Sequence, residues 1–202
     1  MDRLFIPHIV ASINGEERTV SLLEHDFLRR TVYLCGEIND EMAMSLISQL
    51  KYLEYRSKED ITMIIYGPGG SVHAGMALYD TMQYLSCEVR TVCVGIAASM
   101  HAFILAAGKK GKRFALKHSE IMIHQPIGGT YGSASTISLE AAHIMGLNRK
   151  LAQILADETG KKLNTIMRDM DRDTWMDPIV AKNYGIIDNI GYPDLGEGFF
   201  DE

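Results

Sequence analysis

Ser99 and His124 carry the side chains best suited to covalent chemistry in this chain of 202 residues. Ser99 ends the run Gly95-Ile96-Ala97-Ala98-Ser99, whose glycine and alanines leave little bulk in front of the hydroxyl. Twenty-five positions later, His124 closes the apolar run Ile121-Met122-Ile123 and precedes Gln125-Pro126. A serine hydroxyl is a poor nucleophile until a neighbouring base takes its proton, and an imidazole is suited to that task. The small residues let a substrate backbone come close and let the chain turn sharply. A helix beginning near Ser99 would aim free amides and a positive dipole end at any oxyanion formed there.

Each residue taken singly also has a structural reading, as a small helix-start residue or a satisfied strand-end histidine. His101, two positions after Ser99, faces another side of the same helix and is a poor partner for it. An imidazole base needs a carboxylate to fix its tautomer. Asp169, Asp171, Asp173 and Asp177 all fall in one segment, MRDMDRDTWMD, and spacing selects none of them.

The elements that must position these groups alternate between two periods. Thr31–Cys35 reads as a strand, and 40–56 as a helix with a stripe of Ala43, Leu46, Ile47, Leu50 and Leu53. The apolar run 61–66 suits a strand covered on both faces, and Gly67-Pro68-Gly69-Gly70 breaks it. A helix over 74–85, a strand over 89–94, a short helix over 99–107 and strands over 113–116 and 121–124 follow. The glycine- and serine-rich stretch 125–135 reads as a loop or exposed hairpin, and 134–158 as a long amphipathic helix. Asp177-Pro178 opens a last helix that Gly185 closes, and 186–190 reads as a final strand. Repeated β–α units imply a single α/β domain with a mainly parallel sheet.

Composition excludes several classes. A formal charge of −6 and the lack of a basic block argue against nucleic-acid binding. The cluster Lys109–Arg113 (KKGKR) reads as a solvated turn and lacks P-loop spacing. Seven histidines show no metal-ligand spacing, and the 12 methionines read as core filler. Three cysteines, at 35, 87 and 93, read as buried, reduced thiols. The opening MDRLFIPHIV has neither a secretory core nor a transit-leader composition, which favours the bacterial cytosol over an organelle matrix as the compartment, and no run is long enough to span a membrane.

Four stretches in register carry a resemblance to a known family. They are YGPGGSVHAGMALYDTM at Tyr66–Met82, VGIAASMHAFILAAGKKGKRFAL at Val94–Leu116, IMIHQPIGG at Ile121–Gly129, and RDMDRDTWM followed by AKNYGIIDNI. Together they resemble the proteolytic subunit of the Clp protease, the ClpP family of ATP-dependent caseinolytic serine peptidases, from about Glu16 to Ile190. The resemblance implies a ClpP/crotonase-like spiral of β–α units with a protruding helix-strand handle at about 125–158. It divides the chain into an N-terminal axial segment (1–18), a peptidase domain (19–192) and a C-terminal tail (193–202). Ser99 then matches the nucleophile, His124 the general base and Asp173 the orienting acid, with the amides of Gly70 and Met100 as oxyanion hole. Ser71 and Val72, with Gln125, Pro126, Ile127 and Gly128, would form strands that pair with the substrate backbone, and Arg172 would form ion pairs between rings.

The same resemblance implies no metal and no cofactor in this chain, ATP being used by a partner of the AAA+ unfoldase class such as ClpX, ClpA or ClpC. It implies a homo-oligomer of two stacked heptameric rings, either alone or mixed with a paralogue, acting on unfolded polypeptides in the cytoplasm. Nucleic acid and membrane are not expected partners. The chain departs from the common pattern at Tyr66-Gly67, where asparagine and serine are usual, and at His101, where glycine is frequent. It departs also at Thr62, usually an aromatic of the ATPase docking pocket, and in its acidic tail. Two rival readings are a low-activity or structural paralogue subunit of a mixed ring and a crotonase-type acyl-CoA enzyme. The second would need glutamates near GPGGSVHAG or GIAASMH, and there are none.

Overall fold

The computed structural model describes residues 6–13 and 15–194. The chain opens with an antiparallel hairpin of β1 (His8–Ile13) and β2 (Glu16–Ser21), so residue 18 lies inside a strand rather than at a boundary. Helix α1 (Leu22–Leu28) follows. Its start is fixed by a capping box in which Ser21 and Glu24 satisfy each other's backbone amides.

The central sheet has seven strands: β3 (Thr31–Cys35), β4 (Ile61–Gly67), β5 (Val89–Ala98), β6 (Arg113–Ala115), β7 (Glu120–Ile123), β8 (Thr174–Met176) and β9 (Asn189–Ile190). Its main path runs β3-β4-β5-β6-β9, all parallel, with β7 added to β5 and β8 added antiparallel to β7. Helices α2 (Asp40–Arg56), α3 (Val72–Tyr84) and α4 (Met100–Ala106) fill the crossovers. Asn39 caps α2 by accepting from Met42 N–H, and the face Ala43, Leu46, Leu50 and Leu53 is buried. The apolar run of β4 is buried from Ile61 to Ile65, as a strand covered on both faces must be. This is the expected α/β, ClpP/crotonase-like architecture.

Gly95 governs where the site forms. At φ +79 it kinks β5, so that residues 91–93 pair with β6 while residues 96–98 pair with β7. Between the Ile65–Cys93 and Gly67–Ala97 pairs, β4 advances two residues and β5 advances four. The extra length aims the end of β5 at the top of α4, all seven residues of which are buried.

Helix α5 (Ala134–Thr159) is one residue longer than the sequence predicts and divides into two parts. Its buried residues, Leu151, Ala152, Leu155 and Ala156, all lie near its C-terminal end. The preceding half lies outside the core and exposes Ile137, Leu139 and Met145. Helices α6 (Leu163–Asp169) and α7 (Pro178–Tyr184) complete the chain. Asp177 and Pro178 start α7, and Gly185 ends it at φ +99, as the sequence predicts.

Several expectations are corrected. Cys35 is exposed, because it faces outward at the end of the edge strand β3, while Cys87 and Cys93 are buried. Arg113 is no part of a solvated turn: it is 4% exposed and donates to Asp188 through Nε and Nη2 at 2.9 and 2.6 Å. Lys109 and Lys112 do stay near the surface, paired with Glu88. The final strand shrinks to Asn189–Ile190, since Ile186 is held to Ala181 by the helix cap. The acidic tail lies outside the described residues from 195 onward. Among the described residues no helix is long and apolar enough to cross a membrane, and no three potential metal ligands cluster.

Candidate active site

Ser99 sits between β5 and α4 with φ +54 and ψ −126, a conformation that side-chain-bearing residues rarely adopt. Such a backbone costs about 1–3 kcal/mol and persists only where its surroundings fix it. Here the Ser99 N–H donates to the Met122 carbonyl at 2.8 Å, and its own carbonyl accepts from Ala102 N–H at 2.9 Å. The side chain makes no helix cap. Its hydroxyl is therefore left for another partner, and His124 Nε2 lies 2.9 Å away.

Strand register delivers the other two groups. Ala98 pairs with Met122 across β5 and β7, so His124 emerges beside Ser99 at the end of β7. Ile123 pairs with Thr174 across β7 and β8, so the next antiparallel pair is His124 with Asp173. His124 Nδ1 lies 3.0 Å from Asp173 Oδ1. A carboxylate can only accept, so Nδ1 carries the proton and Nε2 is free to accept from the serine hydroxyl. Gln125 locks the corner, its N–H donating to Met170 at 2.7 Å and its side-chain amide to Asp171 at 3.0 Å.

The other three aspartates are engaged elsewhere. Asp169 accepts from the Tyr184 hydroxyl at 3.0 Å and pairs with Arg168. Asp177 caps α7 through Val180 N–H. Asp171 points to Arg172 at 3.8 Å, both well exposed. Asp173 alone of the four reaches the imidazole, although its carboxylate is 60% exposed in a single chain.

Across from Ser99 runs the turn Gly67–Gly70. Gly69 and Gly70 have φ +112 and +144, and a Cβ on Gly69 would stand 2.5 Å from the Ser99 Cβ. Only glycine fits this approach. Ile38 N–H donates to the Gly69 carbonyl, and Ser71 N–H donates to the Ile38 carbonyl, both at 2.8 Å. In a parallel bridge of this kind the Gly70 N–H points away from Ile38. Met100, the first residue of α4, has an N–H that no carbonyl of its own helix can reach.

His101 is fully buried, and its Nδ1 accepts from Gly69 N–H at 2.9 Å. Burial holds its pKa down to about 4, so the ring is neutral. Its bond is to the turn, and sequence reasoning missed it. That contact joins residues 32 apart and has no local signal.

The proposed substrate strands are altered by the structure. Val72 begins α3, and Ser71 caps it by accepting from Ala74 N–H, so 70–72 is no free strand beyond the Gly70 bridge. Residues 125–128 do run without helix or strand, and Ile127 is 86% exposed.

A family model described as Clp protease matches residues 14–194. The chain belongs to the Clp protease family. That membership makes it a member of a peptidase family, and the match covers every strand of the central sheet and each group of the site.

Proposed function

We propose that this Clp protease family member is a serine-type endopeptidase, the proteolytic core of an ATP-dependent Clp protease, cleaving unfolded polypeptides to short peptides. The observation that carries the reading is the continuous run Ser99 Oγ–His124 Nε2 at 2.9 Å and His124 Nδ1–Asp173 Oδ1 at 3.0 Å. In this reading Ser99 Oγ attacks the peptide carbonyl while His124 Nε2 takes its proton. Asp173 holds the imidazole in the tautomer that permits this and stabilises the imidazolium. The oxyanion accepts from the amides of Met100 and Gly70. The carbon–nitrogen bond then breaks, His124 gives its proton to the leaving amine, and an acyl group remains on Ser99. Water, deprotonated by His124, attacks that ester and frees the serine. The exposed backbone at Ile127 and Gly128 would align the substrate as an added strand.

Two features support an assembled working form. The outer half of α5 leaves Ile137, Leu139 and Met145 exposed, as a helix covered by another subunit would. Asp173 is solvent-exposed and sits beside Arg172, 92% exposed, so ring pairing through Arg172 would fix the carboxylate and the imidazole together. We propose two stacked heptameric rings in the cytoplasm, fed by an AAA+ unfoldase that consumes the ATP, with no cofactor in this chain.

Hydrolysis of a short fluorogenic peptide amide by the assembled chain tests the reading. Turnover that disappears in Ser99→Ala is the expected result. An assembly of the right mass that cleaves nothing would favour the structural-subunit reading. The crotonase reading predicts acyl-CoA turnover without peptide cleavage, and the site offers no glutamate to support it.

A further inference from the structure

We propose that His101 is a positioning residue that holds the Gly67–Gly70 turn in the geometry at which Gly70 N–H faces the reacting carbonyl. The inference deepens the peptidase reading above and rests on it.

The argument starts from peptide planarity. The Gly69 carbonyl and the Gly70 N–H belong to one trans peptide plane, so the bond from Ile38 N–H to the Gly69 carbonyl fixes where Gly70 N–H points. The plane before it contains the Gly69 N–H, and His101 Nδ1 holds that group at 2.9 Å. Between the two planes lies only the Gly69 Cα, and a glycine there would otherwise rotate freely. Pro68 offers no N–H of its own. The two hydrogen bonds therefore remove the turn's remaining freedom, one from the strand side and one from α4.

The bond has a second consequence. His101 lies one residue beyond Met100 on a helix that is wholly buried, so the two donors proposed for the oxyanion are tied to a single rigid element. Precise placement of such donors is what gives them their effect on the transition state.

The surroundings are arranged to keep the ring in place. Nε2 has no hydrogen-bond partner among the described residues, a cost the fold accepts in exchange for the Nδ1 contact. A Cβ at Gly67 would stand 2.3 Å from that nitrogen and 2.5 Å from the Gly36 carbonyl oxygen, so only glycine lets the ring and the neighbouring backbone both close on this position. Gly67 and His101 thus form a single contact on this wall.

The test compares His101→Leu, which keeps the bulk but removes the acceptor, with His101→Asn, whose carbonyl oxygen can replace Nδ1. Both are measured in the full, assembled chain on a short peptide amide. His101→Leu is expected to lower kcat roughly 10- to 100-fold with KM changed less than about twofold, as a misplaced donor does. His101→Asn should recover to within about threefold of the parent. A peptide boronate, which forms a tetrahedral adduct on serine, should bind His101→Leu more weakly by the factor lost in kcat. If His101→Leu does not assemble, His101→Ala removes the acceptor without adding bulk and should show the same loss in kcat.

Parent-like kcat in His101→Leu or in His101→Ala overturns the proposal. So does equal impairment of the leucine and asparagine variants, which would make the ring mere packing. A parent protein that cleaves no peptide at all would instead strike down the peptidase reading, and this inference with it.

Discussion

Along β5, residues 89–93 lie in unbroken register on β4, with 91–93 also paired to β6, whereas residues 96–98 have left β6 for β7 and lead into Ser99 at φ +54. The first stretch is closed chemically as well as sterically. Val92 and Cys93 are fully buried, and the Thr91 hydroxyl donates to the Leu105 carbonyl at 2.8 Å. Beside it, Arg113 spends its guanidinium on Asp188 and on the carbonyls of Ala106 and Glu158. Burial pushes the Asp188 carboxyl up, but Arg113 and the Gly111 amide more than offset it, leaving the group more acidic than usual. The second stretch is the opposite in kind. It is flanked by two residues of positive φ, Gly95 and Ser99, and ends beside amides with no partner in their own helix. One strand therefore supplies stability at one end and reactive, strained geometry at the other, and substitutions should separate the two.

The largest separation is expected at Ser99. Ser99→Ala should lower peptide turnover by a factor on the order of 10⁶ while leaving the unfolding midpoint close to the parent's, read by steady-state kinetics and calorimetry. Asp173→Asn keeps the shape but permits the wrong imidazole tautomer, and a drop of about 10⁴ in kcat is expected. Parent-like stability in both variants would uphold the division; joint loss of fold and activity would erase it.

At the other end the sign reverses. Asp188→Ala leaves a buried guanidinium unpaired and should cost about 3–5 kcal/mol in a denaturant titration, with kcat per folded chain unchanged. His101 lies between the two regimes and adds a pH dependence. Its folded pKa of about 4 is below the unfolded 6.5, so the unfolded chain binds the proton more readily. Stability from this group is complete above pH 6.5 and declines as pH falls from there through 4, by about 3 kcal/mol at most. Subtracting the same titration of His101→Asn should isolate that component. The smallest effect is at the cap: Asp177→Ala removes the acceptor for Val180 N–H and should cost about 1 kcal/mol without touching turnover.

The sequence carried unequal amounts of this picture. Ser99 and His124 were legible because each sits in a short, strongly biased run whose side-chain chemistry needs no partner to be recognised. Asp173 was not separable from Asp169, Asp171 and Asp177 by spacing, since the choice is made by pairing of β7 with the three-residue β8. So short a strand has no period to read. The β1–β2 hairpin and α1 were within reach: Asn14-Gly15 is a two-residue hairpin signal, and Ser21 followed by Glu24 is a capping box. The bond from Gly69 to His101 was beyond reach, because it depends on how closely α4 approaches the turn, a tertiary distance with no local trace.

Covalent labelling by a fluorophosphonate, followed by mass mapping of the modified peptide, tests the Ser99–His124–Asp173 assignment most directly. One adduct per chain on Ser99, formed far more slowly in His124→Ala, is the result the geometry predicts. An assembled, folded protein that takes no label, or takes it on another serine, would contradict it.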